Sequence, residues 1–185
     1  MCRTRPLALI VLLGAAATVG ISTASETQRF YLSGSGPDDT KTWELRISAG
    51  RRAGEWASIE VPSQWEQQGF GTYAYGWEDD KPAEVGEYRY RFTVPADLAT
   101  KRVRLVFEGV MTDTEVRLNG ELVGDLHQGG FTRFSYSVGK FLRPGESNLL
   151  EVRVAKESAN RSVNEAERDA DYWVFGGIFR PVYLD

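Results

Sequence analysis

Tyr73, Tyr75 and Trp77 stand two residues apart among Gly69, Gly71 and Gly76, a spacing that on an extended backbone sends all three rings to one side. Sugar recognition needs such flat faces against C–H surfaces, with fixed carboxylates or amides beside them to meet hydroxyls. The same rings would also serve to staple a Gly-rich loop onto the end of a core. Asp169 and Asp171 repeat the spacing of two; they either converge on a ligand or cation, or form a solvated stretch paired with Arg168 or Arg161. Glu165 and Glu167 raise the hydrolysis of a glycosidic bond, which uses two carboxyls about 5 to 9.5 Å apart on opposite sides of that bond. Neighbours in one short segment do not flank a bond from both sides, so they are assigned no catalytic role. The dipeptide Asn164-Glu165 carries no weight without a barrel strand to hold it. His127 is the sole histidine; it supports neither a catalytic triad nor a transition-metal site, and a structural hydrogen bond in its loop is expected. These residues imply no catalytic group, no metal set and no cofactor.

The elements that must position them follow a period of two. Tyr88, Tyr90, Phe92 and Val94 alternate with Arg89, Arg91 and Thr93 until Pro95 ends the run, the pattern of a strand with one wet face. Val103, Leu105 and Phe107 alternate with Arg102 and Arg104, and Val116 and Leu118 with Glu115 and Arg117. Asn119-Gly120 then predicts a two-residue hairpin turn, because a type I′ turn needs positive φ at both positions. It pairs 114–118 with 121–126. Further strands are expected at 43–47, 58–61, 131–138, 149–156 and 179–184. No amphipathic run is long enough for a substantial helix. Eight or nine short strands separated by Gly, Pro, Asn and Asp predict an all-β sandwich or jelly roll. Two long loops interrupt it: residues 64–82, which carry the aromatic series, and residues 156–177, which carry the acidic one. Loops of that length are functional or disordered, and their mixture of rings and charges favours an ordered, functional role.

Composition narrows the classes further. The 185 residues include 12% aromatics and five Trp, which excludes a disordered polymer, and a single Cys, which excludes a disulfide scaffold or zinc module. The formal charge of -4 and the lack of a basic patch argue against nucleic acid. A (β/α)₈ barrel takes about 250 residues, so any such barrel is expected on another polypeptide. At the N-terminus, Arg3 and Arg5 precede an apolar run over 7–13, and Ser22 and Ala24 supply the small residues of a signal-peptidase site. Cleavage is predicted after Ala24, giving a signal peptide over 1–24 and a mature domain over 25–185 in the secreted or periplasmic space. The run is short against the about 20 residues of a membrane span, so no membrane association is expected after cleavage. Cys2 precedes the apolar run, so it is not a lipoprotein cysteine, and the mature chain would carry no thiol. Asn160-Arg161-Ser162 matches the glycosylation pattern, which matters only in a eukaryotic secretory pathway.

Five segments, read in order, resemble a known family: Val61-Pro62-Ser63-Gln64-Trp65-Glu66, Phe107-Glu108-Gly109-Val110, Val116-Arg117-Leu118-Asn119-Gly120, His127-Gln128-Gly129-Gly130-Phe131, and Trp173-Val174-Phe175-Gly176-Gly177-Ile178-Phe179-Arg180-Pro181-Val182. Their order and spacing over about 30–185 are similar to the N-terminal sugar-binding domain of glycoside hydrolase family 2, the β-galactosidases, β-glucuronidases and β-mannosidases. The resemblance implies a galactose-binding-like jelly roll that in the family precedes an immunoglobulin-like domain and a catalytic barrel. The family's catalytic carboxylates lie on that barrel, so none transfers here. In its β-galactosidases an Asp two residues before a Trp, ahead of Gly-Ile-Phe-Arg, reaches the barrel's pocket and helps bind the sugar and a sodium ion; Asp171 matches that position. A second sugar contact in those enzymes is an Asn after the Tyr-rich loop, where this chain has Trp77, and the departure leaves sugar identity open.

The resulting expectation is an exported, non-catalytic carbohydrate-binding domain, truncated or split from its barrel, with Asp171, Trp77, Tyr75, Tyr73 and Asp169 as its sugar contacts. The alternative is a subunit of a split β-glycosidase, completed in trans by a barrel partner chain to which it contributes Asp171. A sodium ion near Asp171 is expected only with that partner. A gene fragment that folds without activity is the third reading. Exposure of Trp173, Phe175, Ile178 and Phe179 would point to a missing partner; their burial would point to autonomy.

Overall fold

The computed structural model describes residues 26–185; the predicted signal segment lies outside them. All paired strands run antiparallel. One sheet has six strands in the order β3 (Ala57–Val61), β2 (Lys41–Ile47), β5 (Val85–Thr93), β10 (Ser147–Ala155), β7 (Asp113–Leu118) and β8 (Glu121–Leu122). A second has four, β1 (Phe30–Tyr31), β12 (Val182–Leu184), β6 (Arg104–Phe107) and β9 (Phe134–Ser137), and a two-stranded ribbon joins β11 (Trp173–Val174) to β4 (Ala74–Tyr75).

The period of two decides this arrangement. Along β10, Asn148, Leu150, Val152 and Val154 are buried while the residues between them reach solvent, and β2 buries Trp43, Leu45 and Ile47 in the same way. These side chains meet Leu105, Phe107, Val182 and Leu184 of the smaller sheet in one apolar cluster, so the two sheets form a sandwich. Tyr90 lies on the predicted face but only part-buried, its ring stacked between Trp43 at 4.9 Å and Phe92 at 6.2 Å. Asn119 and Gly120 take φ of 56° and 86°, as the predicted hairpin turn requires.

Strand ends depart from the sequence pattern for local reasons. The stretch 179–184 contributes pairing only over Val182–Leu184, since Pro181 has no N–H to donate. The expected 121–126 shortens to Glu121–Leu122, beyond which Gly124 runs against the Tyr136 ring, and 131–138 shortens to Phe134–Ser137. The loop 156–177 contains one short helix, α1 (Arg161–Glu167), capped by the Asn160 side chain accepting from Ser162 N–H. Its order comes from polar ties to the sandwich. The Asp113 carboxylate accepts from Ser158 Oγ at 2.6 Å and Ala159 N–H at 2.8 Å, and Glu167 Oε2 accepts from Gly130 N–H at 2.7 Å. Glu165 pairs with Arg161 at 2.6 Å. Both glutamates of the glycosidase reading are thus engaged by protein groups.

His127 fills the structural role expected of it. Its backbone bridges Thr114, its ring stacks on Phe134 at 3.8 Å, and Nε2 lies 2.9 Å from the Gly129 carbonyl. Burial lowers its pKa against the opposing pull of that carbonyl and of Asp113 and Glu167. A depressed folded value means that the unfolded chain, with His near 6.5, binds the proton more readily, so this contribution to stability is present above about pH 6.5 and is lost as pH falls through the folded pKa. Urea midpoints should therefore drop between pH 7 and 5.5, and His127→Gln should flatten the curve in that window; an unchanged slope would place the dependence elsewhere.

Candidate functional site

The ribbon carries the aromatic series. Tyr75 pairs with Trp173 and Ala74 with Val174. Ala74 and Val174 are fully buried, which turns their neighbours outward: Tyr73 is 44% exposed and Trp173 51%, and beyond Tyr75 the Trp77 ring is 67% exposed. The rings contact one another edge to face, Phe175 to Tyr73 at 5.9 Å, Tyr73 to Trp173 at 5.8 Å, Trp173 to Tyr75 at 5.4 Å and Tyr75 to Trp77 at 6.3 Å. The three rings singled out by spacing do share one surface, and Trp173 is the ring that joins Tyr73 to Tyr75. Spacing alone did not supply that member, because the partner strand lies a hundred residues away; its own alternation, Trp173 and Phe175 about a buried Val174, was the available signal. Of the four apolar residues near the chain end, Ile178 is buried, Phe175 and Phe179 are half-buried and Trp173 is exposed.

The two aspartates border this strip. Gly76 N–H bonds to the Tyr172 carbonyl at 2.9 Å, and a Cβ on Gly76 would stand 2.0 Å from the Ala170 carbonyl oxygen, so only glycine lets the segment 170–172 lie this close to the strip. Asp171 is solvent-exposed. Asp169 pairs with Lys81 at 2.7 Å, and neither arginine named as its partner takes that role: Arg161 holds Glu165, and Arg168 turns inward, 2% exposed, to donate to the Lys156 carbonyl. Among the described residues no group of three or more His, Cys, Asp or Glu side chains is placed to hold a metal ion. One exposed carboxylate does not furnish the several oxygens a hard cation takes, so the residues present do not by themselves fit a sodium ion at Asp171.

Beneath the strip lies a buried ion cluster that the sequence reading did not single out. Lys156 is wholly buried; its ammonium donates to the Thr72 carbonyl at 2.7 Å and Glu84 Oε2 at 3.3 Å and forms an ion pair with Glu66 Oε1 at 2.6 Å. Glu66, 1% exposed, accepts in turn from Gly176 N–H at 3.1 and 3.0 Å. Thr72 precedes Tyr73 and Gly176 follows Phe175, so the cluster holds the backbones of both strands at the Tyr73–Phe175 end of the strip. Burial raises the Glu66 pKa against the pull of Lys156, and lowers that of Arg168. Trp65 packs on the same segment: a Cβ on Gly176 would stand 2.1 Å from its ring, while Trp65 N–H donates to the Gly176 carbonyl at 3.2 Å.

Trp65 and Glu66 end the first quoted segment and Gly176 lies within the last. Residues 42–185 match the family described as "Glycosyl hydrolases family 2, sugar binding domain". The chain belongs to this family. It is 34% identical over 139 residues to a β-galactosidase of Vibrio cholerae, an alignment that spans 70% of this chain and 13% of that protein. Among solved structures it resembles a putative β-galactosidase from Bacteroides fragilis (TM-score 0.60, 28% identity, 85% of this chain and 23% of that one). It also resembles a β-glucuronidase of Bacteroides uniformis (TM-score 0.61, 27% identity, 85% and 18%). The chain therefore spans less than a quarter of the length of these relatives, and what it shares with them is the family 2 sugar-binding domain.

Removing Lys156 tests the cluster. Lys156→Met leaves two buried carboxylates without their cation and should cost about 3 to 5 kcal/mol, read as a shift in the urea midpoint at constant m. Adding Glu66→Gln and Glu84→Gln to that variant should restore most of the loss, because no uncompensated charge remains. A single variant as stable as the wild type would show that the cluster carries no such constraint.

Proposed function

We propose that this family 2 domain is an exported, galactose-binding-like jelly roll that binds carbohydrate along the strip formed by Tyr73, Tyr75, Trp173 and Trp77, with Asp171 and Asp169 at its border as hydroxyl acceptors. The observation that carries it is a contiguous exposed row of aromatic rings, held from below by the buried cluster, with an exposed carboxylate beside it. Rings packed edge to face in advance lose little entropy when a sugar stacks on them, and a nearby carboxylate adds charge-assisted hydrogen bonds. The domain acts as a binder. Asp169 and Asp171 come from one short segment and do not flank a glycosidic bond from both sides. The relatives named for β-galactosidase and β-glucuronidase activity make galactosides and glucuronides the first ligands to try.

The exposed strip also supports the second reading, that a catalytic barrel supplied by another chain covers it and takes Asp171 into its sugar pocket. Exposed contiguous aromatic surface marks a binding or interaction site, and an open face buries little of a monosaccharide, so affinity for free sugar should be weak.

Isothermal titration against galactosides, glucuronides, mannosides and plant oligosaccharides tests the binder. Asp171→Ala should weaken binding about tenfold or more, the size of a hydrogen bond to a charged group, and Trp77→Ala about threefold to tenfold, the size of an aromatic contact. Binding that neither variant alters would sink the strip as the site. No binding by a protein that melts cooperatively would favour completion by a barrel, to be checked by mixing with a family 2 barrel and measuring nitrophenyl glycoside hydrolysis.

A further inference from the structure

The outer face of the six-stranded sheet carries a second arrangement, unrelated to the strip. Strand register sets Glu44 beside Arg89, Arg89 beside Glu151 and Glu151 beside Arg117, a row of alternating charge across β2, β5, β10 and β7. Two residues along, Arg46, Glu87, Arg153 and Glu115 repeat the row with every sign reversed. The result is a grid with neighbours about 4.8 Å apart across strands and about 6.7 Å apart along them. Within it Arg46 pairs with Glu87, Arg89 with Glu151 at 3.5 Å and Arg117 with Glu115 at 3.0 Å. Trp56 closes one end, with the Arg89 guanidinium 4.1 Å and the Arg46 guanidinium 5.0 Å from its ring. A shallow open groove of about 270 Å³ runs over the grid residues and Trp56, and a second of about 300 Å³, beside Gly54 and Val85 at the sheet's end, shares Arg46 and Glu87 with it.

We propose that this grid binds a neutral oligosaccharide lying across β2, β5, β10 and β7. A guanidinium only donates hydrogen bonds and a carboxylate only accepts them, whereas a hydroxyl does both. A polyol laid on the grid therefore finds a donor and an acceptor beside each hydroxyl. An anionic chain would meet repulsion from half of the grid, and an apolar one would desolvate charges without replacing their hydrogen bonds. Ion pairing and the Trp56 ring hold Arg46 and Arg89 in place, so little side-chain entropy remains to be lost on binding. A second copy of the chain seated face to face would also match the charges, since an even-sided grid complements itself about an in-plane two-fold axis. That contact would strip water from two whole grids at once, a cost ion pairs seldom recover.

The site stands independently of the aromatic strip, and its test separates the two. The indole N–H of Trp56, assigned through Trp56→Phe, is followed by ¹⁵N NMR while the purified chain is titrated with cellohexaose, mannohexaose, a β-linked galactohexaose and hexagalacturonate. A saturable shift with at least one neutral hexaose is expected. It should persist in Trp77→Ala and weaken at least tenfold in Arg89→Ala/Glu151→Ala, a pair that keeps net charge and whose fold is checked by its melt. No shift with any neutral hexaose, or a shift with hexagalacturonate alone, overturns the proposal. So does a shift that follows protein concentration together with a doubled mass in light scattering, which would assign the face to a second copy. Sugar binding abolished by Trp77→Ala with Trp56 unmoved overturns the grid and leaves the strip standing.

Discussion

One buried ammonium organises the end of the sandwich that matters. Lys156 follows the last residue of β10, Glu66 lies in the turn beyond β3 and Glu84 just precedes β5, so three distant parts of the chain must converge for any of the three charges to be tolerated in a dry interior. Such a cluster does not gain much over an apolar core of the same volume, because desolvation offsets most of its Coulomb energy. Its effect is geometric: an alternative packing that displaced one member would strand the others. The ammonium also donates to the Thr72 carbonyl and the Glu66 carboxylate receives Gly176 N–H, which fixes both backbones of the ribbon where Tyr73 and Phe175 stand. Arg168, donating to the Lys156 carbonyl, extends the same constraint into the loop that bears Asp169 and Asp171.

This explains which residues revealed the family. Trp65, Glu66, Asn119, Gly176 and Gly177 lie in the segments that resemble family 2, and they serve the frame. Glu66 holds Gly176, and Trp65 needs the bare face that Gly176 offers. The Asn119 side chain ties β7's turn to Phe141 and Leu149. Relatives named for β-galactosidase and for β-glucuronidase share this domain's fold, so the fold alone does not encode sugar identity. The strip is where the resemblance implies an amide and this chain has Trp77, and an exposed edge can change rings without disturbing the cluster.

Legibility in the sequence followed from physics in the same way. Strands with one dry and one wet face announce themselves by alternation, so β2, β5, β7 and β10 were readable, and Asn119-Gly120 fixed a turn by its φ requirement alone. Two-residue strands give at most a fragment of a periodic signal: β4 and β11 exist because a partner across the fold supplies the hydrogen bonds, and the alternation about Val174 is too short to name that partner. Lys156 and Arg168 were the harder case. Each is a charged residue in or beside a polar stretch, where solvent exposure is the ordinary expectation, and only the arrival of Glu66 and Glu84 from elsewhere makes burial tolerable. The acidic segment has the pattern of a loop although Asn160, Asn164 and Glu167 hold it in a helical turn, because short polar helices owe their order to such ties and not to an apolar face.

The two outward surfaces then differ in a way the frame itself dictates. The strip is apolar and rests on a fixed buried cluster, so its rings have few alternative positions and can present a flat face. The outer sheet face is polar, because a long antiparallel sheet with one side in water must discourage other strands and sheets from stacking on it. Alternating charge achieves that by making an apolar approach costly, yet the same alternation leaves ordered donors and acceptors in a shallow groove. On the two proposals above, the strip would meet the faces of sugar rings and the grid their rims, and each would bind weakly alone because each is open.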